Sequence, residues 1–235
     1  GFADLTLGEC VAPVLEVLQR VGGDRLRGIR NSTAWHESAA VRSSPVVPPP
    51  GVLMDASFRE GVHRLAPFGL SLDIWAYHTQ LPEVLDLAQA VPAATIVIDH
   101  VGGPIGVGPY AGKREEVFRA WRDDMAALAA CQNVFVKLGG LTMKVGGFAF
   151  HEREMPPSSE ELAVAFRPYI ETCIDLFGCS RCMLESNFPV DKNMVGYAVL
   201  WNAFKRLASG CSDPERTALF SGTATKVYRL TRDQE

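Results

Sequence analysis

Short apolar runs that read as strands alternate along this chain with helical segments, and that alternation limits its possible folds more than any other feature. The strand candidates are Phe2–Leu7, Leu26–Arg30, Leu70–Tyr77, Thr95–His100, Val134–Leu138 and Cys182–Asn187. Thr95-Ile96-Val97-Ile98 and Val134-Phe135-Val136 are nearly continuous in apolar residues, which suits parallel strands covered on both faces. Between the strands, Glu9–Val21 puts Val11, Val14, Leu15 and Leu18 on one stripe, and Glu115–Cys131 spaces Phe118, Trp121, Met125 and Leu128 three and four apart. Further helices are expected over Met54–Leu65, Pro82–Ala90 and Met194–Leu207. Ser158-Ser159-Glu160-Glu161 fits a capping box that opens a helix through Phe177. Asp213-Pro214 supplies an N-cap and a first-turn proline for a short terminal helix. Six β-α repeats joined by right-handed crossovers leave two architectures, an open doubly wound sheet or a (β/α)₈ barrel.

No Gly-x-Gly-x-x-Gly or Walker loop follows any strand, which weakens the nucleotide-binding open sheet. Polar residues instead crowd the C-terminal ends of the strands, at Arg30, Tyr77, Asp99-His100, Lys137 and Glu185-Ser186-Asn187. Barrel enzymes keep their chemistry there. The expectation is therefore α/β, a (β/α)₈ TIM barrel present as strands three to eight with their helices and truncated at the N-terminus. It forms one incomplete domain over residues 1–235. Six strands alone would leave two edges and an uncovered apolar wall. Two βα units are expected ahead of Gly1, and the 235 residues by themselves are expected to be poorly soluble and inactive. Ser43–Pro50 reads as a loop, and Gly139–Pro157 as a candidate lid.

Composition narrows the partners. The net charge is −4 and no basic block exceeds a pair or so of Lys and Arg, so no nucleic-acid surface is expected. No apolar run approaches the roughly 20 residues of a membrane-spanning helix. Cys179-Ser-Arg-Cys182 has the spacing of a metal or redox pair, but no second pair or flanking His accompanies it. The six cysteines read as free thiols in a reducing cytoplasm. A small molecule is the expected partner; the oligomeric state is not written in the sequence.

His100 ends a buried-looking strand, and period-two alternation puts it on one face with Ile96 and Ile98. A neutral imidazole there can bind a metal or donate a hydrogen bond to a developing oxyanion. Glu185 and Asn187 share a strand face, and Asp191 follows the strand-ending Pro189. Glu185 or Asp191 could act as general base if burial raises its pKa; equally, Glu185 could serve a salt bridge and Asp191 could cap the next helix. Arg30 has a planar fork suited to a substrate carboxylate, or to an ion pair in the barrel mouth. Trp75 and Tyr77 share a face at the end of their strand while His78 points the other way; Lys137 sits in the analogous place, and His151 lies in the candidate lid. Trp75, Tyr77, His78, Lys137 and His151 are candidate substrate contacts. His36 and His63 carry no functional signal.

Ile98-Asp99-His100-Val101-Gly102-Gly103, Val136-Lys137-Leu138-Gly139-Gly140 and Ser186-Asn187-Phe188-Pro189-Val190-Asp191 resemble, in that order, the last three strands of the amidohydrolase-2 family. Thr223–Leu230 is similar to the closing helix of that family. These are TIM-barrel hydrolases that include 2-pyrone-4,6-dicarboxylate lactonase and sugar lactonases, with related metal-dependent decarboxylases. The resemblance implies a hydrolase that opens a lactone or similar cyclic ester of a small anionic substrate with activated water. His100 would polarise the carbonyl, Asn187 would position water or the oxyanion, and Glu185 or Asp191 would take the proton. Arg30 and Lys137 would hold the substrate. Asn187 stands where the lactonases carry a water-activating Asp, and Tyr77 where the metal-dependent members carry a His. No cofactor is therefore favoured; the alternative is a divalent zinc or manganese ion at His100. The family's strand-one His-x-His is absent from this sequence and is expected roughly 50–60 residues before Gly1. The rival readings are a metal-dependent decarboxylase or amide hydrolase of the same superfamily, and a non-catalytic barrel that binds a small ligand.

Overall fold

The computed structural model describes residues 1–42 and 46–230. Ser43, Ser44 and Pro45 of the Ser43–Pro50 loop, and positions 231–235 of the expected 1–235 domain, lie outside the described residues. Five strands form: β1 (Gly28–Ser32), β2 (Ser71–Trp75), β3 (Ile96–Ile98), β4 (Val134–Leu138) and β5 (Cys182–Leu184). They pair in sequence order, and every pair is parallel. The helices are α1 (Ala12–Gly22), α2 (Ala56–His63), α3 (Leu81–Ala90), α4 (Arg114–Ala129), α5 (Ser159–Phe177), α6 (Tyr197–Leu207), α7 (Asp213–Thr217) and α8 (Thr223–Tyr228). None of them is long and apolar enough to cross a membrane.

Strand order separates the two candidate architectures. A doubly wound sheet reverses its order and so covers both faces with helices, whereas unbroken sequential winding with right-handed crossovers puts the helices on one face. Here one face of the sheet carries Ile29, Leu72, Ile74, Ile96, Ile98, Val134, Val136, Leu138 and Cys182. These pack in a single core with Phe58 of α2, Leu87 of α3, Trp121 and Met125 of α4, Phe166 of α5 and Phe204 of α6. In register on the opposite face stand Arg30, Asp73, Val97 and Phe135, then Lys137 and Met183. Charged side chains among the apolar ones on this second face match the inside of a barrel and not a two-layered sandwich of helices. Val97, Met183 and Phe135 meet Val227 and Tyr228 of α8, so the last helix closes against that inner face.

The expected strand at Phe2–Leu7 does not form. Asp4 caps a 3₁₀ helix over Leu5–Val11, with its Oδ1 accepting from Thr6 N at 3.0 Å. The segment kinks at Gly8, whose φ of 58° breaks it into two short turns, and Leu5, Gly8 and Val11 are its buried residues. Only Gly1 keeps strand pairing: its N donates to Gly28 O and its O accepts from Arg30 N, both at 2.8 Å. At α5 the capping box is present as expected, with Ser158 and Glu161 satisfying each other's backbone N–H. At α7 the cap is Ser212 in place of Asp213, because Glu215 at the third helical position reaches back to the Ser212 N–H.

Candidate active site

The inner face gathers four charged groups at the C-terminal ends of β1 to β4. Arg30 and Asp73 are register partners, and Lys137 comes from β4. The Lys137 ammonium lies 2.7 Å from Asp73 Oδ2 and 2.8 Å from Asp99 Oδ1. Asp99 is fully buried, and its Oδ2 holds Arg30 Nε at 3.0 Å. Asp73 also accepts from Ser71 Oγ at 3.1 Å and from Tyr228 OH at 2.7 Å. Burial alone would lower the Lys137 pKa, but Asp99 and Asp73 outweigh it and push it above the usual lysine range. Lys137 therefore stays charged and saturates both carboxylates.

His100 joins this network by a route that alternation misses. β3 ends at Ile98, and His100 and Val101 take left-handed backbone, with φ of 54° and 49°. That conformation costs a β-branched residue most, and such strain collects at functional sites. It turns the imidazole away from the face of Ile96 and Ile98 and into the inner mouth. There the ring meets Trp75 edge-on, with centroids 4.9 Å apart, and Nε2 lies 3.1 Å from Arg30 Nη2. Nδ1 contacts Glu185 Oε1, which also accepts from the His100 N–H at 3.3 Å. These contacts assign the ring proton to Nδ1 and leave the Nε2 lone pair to accept from Arg30. Burial would raise the Glu185 pKa, but His100 first, then Lys137 and Arg30, hold it below the usual carboxylate range. The Gly139-Gly140 pair makes room for this dyad. Gly140 has φ of +67°, and a Cβ there would sit 2.6 Å from His100 Cγ. Behind the turn, the Trp121 indole of α4 donates to Val101 O at 2.6 Å and anchors it to the core.

Asn187 and Asp191 form a second group. β5 ends at Leu184, so Glu185 and Asn187 do not share a strand face; Asn187 has left-handed backbone with φ of 47°. Its Nδ2 donates to Asp191 Oδ1 at 3.3 Å. Asp191 is 1% exposed, and its Oδ2 finds no donor among the described residues. It is not a helix cap: Gly196 occupies the N-cap of α6. Burial pushes the Asp191 carboxyl up to about 6, against the opposing pull of the Thr142 hydroxyl, His100 and Asn187. Thr142 also lines a cleft of about 390 Å³ bounded by the loops after β1, β3, β4 and β5.

The remaining candidates divide. Tyr77 packs edge-on against Trp75 and donates its hydroxyl to Val41 O at 3.0 Å, in the cap over the mouth. His78 points elsewhere, against Tyr110 in an aromatic group with His36, and burial lowers its pKa to about 4. His151 lies at the surface, 3.8 Å from Glu152, and makes no recorded contact with the network. The expected lid is held down: Arg114 donates to Gly146 O at 3.2 Å and to Gly147 O at 3.0 Å, and lies 4.0 Å over the Phe148 ring. Sequence reasoning passes over Asp73 and Tyr228, and notes Asp99 only as a polar residue at a strand end. Asp73 had a readable signal, a lone carboxylate in period two with Trp75 and Tyr77 inside an apolar strand. Tyr228 had none, because nothing local indicates that the last helix meets the inner face.

The amidohydrolase family pattern matches residues 1–230. The chain belongs to the amidohydrolase family. Among its relatives, a Sinorhizobium fredii protein designated y4mH is 37% identical over 87% of this chain and 61% of its own length. L-fucono-1,5-lactonase of Burkholderia ambifaria is 31% identical over 76% of this chain and 56% of its own length. The chain thus spans about three-fifths of the length of the curated relatives it matches. A Burkholderia multivorans amidohydrolase, crystallised with HEPES, superposes with a TM-score of 0.78 at 25% identity, covering 98% of this chain and 73% of that one. Another crystal form of a B. multivorans amidohydrolase holds zinc. Among the described residues of this family member, no group of three or more His, Cys, Asp and Glu is placed to hold a metal ion. Between the two carboxylates best placed to bind a cation, Asp73 and Asp99, stands the Lys137 ammonium. The described residues do not fit a resident metal.

Proposed function

We propose that the protein hydrolyses a lactone or similar cyclic ester of a small anionic molecule, with Asp191 as the general base. The observation that carries this reading is the buried Asp191 carboxyl with one oxygen unpaired and a pKa lifted to about 6. A carboxylate in that state accepts a proton near neutral pH, and no donor holds its unpaired oxygen. Asn187 cannot take a proton, but it occupies the other oxygen of Asp191 and so fixes which one is free. Glu185 is less suited to be the base, because His100 already engages it and its pKa is held down.

Arg30 supports the electrophilic side. Asp99 holds its Nε and His100 its Nη2, while half of the side chain stays exposed at the mouth. Its remaining N–H groups can stabilise the oxyanion that forms as water adds to the ester carbon. His100 positions Arg30 in this reading instead of polarising the carbonyl itself. Asp191 then returns its proton to the ring oxygen as the ester bond breaks, and the product is the open-chain hydroxy acid. Lys137 neutralises the carboxylates beneath. The sugar lactones named for its relatives are one substrate class to assay. Free cysteines throughout suit a reducing cytoplasm.

The test is proton release from a panel of lactones by the full-length protein, followed by pH-stat before and after chelation. Turnover that survives chelation, rises with pH through about 6, and is lost in both Asp191→Asn and His100→Ala is the expected result. A His100→Ala variant as active as the parent, or no turnover of any lactone, would overturn the reading.

A further inference from the structure

The cleft beside Asp191 differs from what a polyhydroxylated ring requires. Its apolar lining is Ala40, Val41, Val107, Met143, Val145, Val190 and Met194. Val190 is 55% exposed at the rim, an apolar side chain left in water beside the catalytic base. Thr142 and Asn193 are the uncharged polar residues of the lining, and the cations Arg42 and Lys144 complete it. A sugar lactone carries hydroxyls on most ring carbons, and each one buried without a partner loses roughly 5- to 150-fold in affinity. An alkyl or aryl group loses nothing there and gains from leaving water. The volume, about 390 Å³, lies within the range of small-molecule pockets.

Resting on the proposed lactone hydrolysis, we infer that this cleft is a substituent subsite, and that the substrate is a lactone whose ring bears an apolar chain ending in a carboxylate. The ring sits over Asp191 and Arg30. The chain lies between Val190 and Met143, and its carboxylate meets Arg42 and Lys144. The bond that breaks is still the ring ester, so the subsite governs which lactone is accepted and not the chemistry.

The experiment uses the full-length protein and two probe series. The first is δ-lactones carrying methyl to hexyl chains, with and without a terminal carboxylate, beside a 1,5-aldonolactone. The second is the corresponding δ-lactams, which bind without ready hydrolysis and report occupancy by calorimetry. Each added methylene is expected to raise kcat/KM and lactam affinity about fourfold until the cleft is full, the factor for transferring one methylene out of water. The carboxylate should add about tenfold more, and Lys144→Gln should remove most of that increment. Val190→Asn and Met143→Gln should each flatten the dependence on chain length. Equal or better turnover of the aldonolactone, or lactones turned over with no chain-length dependence, overturns the subsite and leaves the hydrolase reading standing. Lactam binding that rises with chain length and flattens in both variants, with no lactone hydrolysed, upholds the subsite and removes the hydrolase reading.

Discussion

Asp99 and Asp191 are both buried aspartates at the same end of the sheet, and their surroundings are opposite. Asp99 has a cation on each oxygen, Lys137 at 2.8 Å and Arg30 at 3.0 Å. Asp191 meets only neutral donors, the Asn187 amide at Oδ1 and the Thr142 hydroxyl, and its carboxyl is lifted from 3.8 to about 6. A buried carboxylate with cations on both sides is part of the scaffold; one buried with half its capacity unmet is held ready for a proton. The pair thus separates support from reactivity without reference to any relative.

The sharpest way to break this comparison is to neutralise Asp191. Asp191→Asn keeps the shape and is expected to lower kcat about a thousandfold, within the span of general-base catalysis. The same change should stabilise the protein. The folded-state pKa lies above the unfolded one, so folding favours the proton. The penalty of burying the charge is absent below about pH 3.8, develops as pH rises, and is complete above about 6. At full development it is about 3 kcal/mol. Denaturant unfolding at pH 8 should therefore show Asp191→Asn more stable than the parent, by up to that amount, and near parity at pH 3.5. A variant that loses stability at pH 8 would place Asp191 with the structural carboxylates.

Lys137→Met attacks the other side of the comparison. It leaves Asp73 and Asp99 buried without their shared cation and is expected to cost about 3–5 kcal/mol, read by the same unfolding measurement. Adding Asp73→Asn should restore part of the loss, because one of the two orphaned charges is removed. If Lys137→Met is as stable as the parent, the two carboxylates are not held as the network describes.

How far the sequence foretold this site depends on whether the deciding geometry was local. Parallel strands with apolar outer faces follow from runs such as Thr95–Ile98, and Lys137 was visible at the end of its strand. Arg30 is equally visible, and an ion pair in the barrel mouth is one of its two readings, but nothing local names Asp99 as the partner. His100 was singled out for its position, yet alternation gave it the wrong face. The left-handed turn at His100 and Val101 breaks the period of two, and the signal for such a turn is only the following Gly102-Gly103. Glu185 and Asn187 fail the same way, since β5 ends at Leu184, before either of them. The Phe2–Leu7 strand was lost to a side-chain cap at Asp4, a two-residue effect that outweighs strand propensity. Asp73 and Tyr228 lie 155 residues apart, and no local pattern joins them.

Arg30 links the two sides of the comparison, because Asp99 holds it and the mouth exposes it. Arg30→Gln removes a charged donor while keeping some hydrogen-bonding capacity. It is expected to lower kcat about 100-fold and to change KM less, as for loss of a donor to the developing oxyanion. A rise in KM alone, with kcat unchanged, would assign Arg30 to substrate capture and not to the oxyanion.

The smallest effect is expected at Tyr228. Its hydroxyl donates to Asp73 Oδ2 at 2.7 Å, but that carboxylate also has Ser71 and Lys137. Tyr228→Phe keeps the ring against Val97, Met183 and Phe135, so α8 stays on the inner face. The lost bond should cost about 1 kcal/mol in unfolding and change kcat less than threefold. This follows from saturation: a carboxylate with three partners loses one of them cheaply, whereas Asp191 has no spare partner to lose. A Tyr228→Phe cost that reaches that of Lys137→Met would mean that the tyrosine, and not the ammonium, holds Asp73, and the contrast between satisfied and unsatisfied aspartates would have to be redrawn.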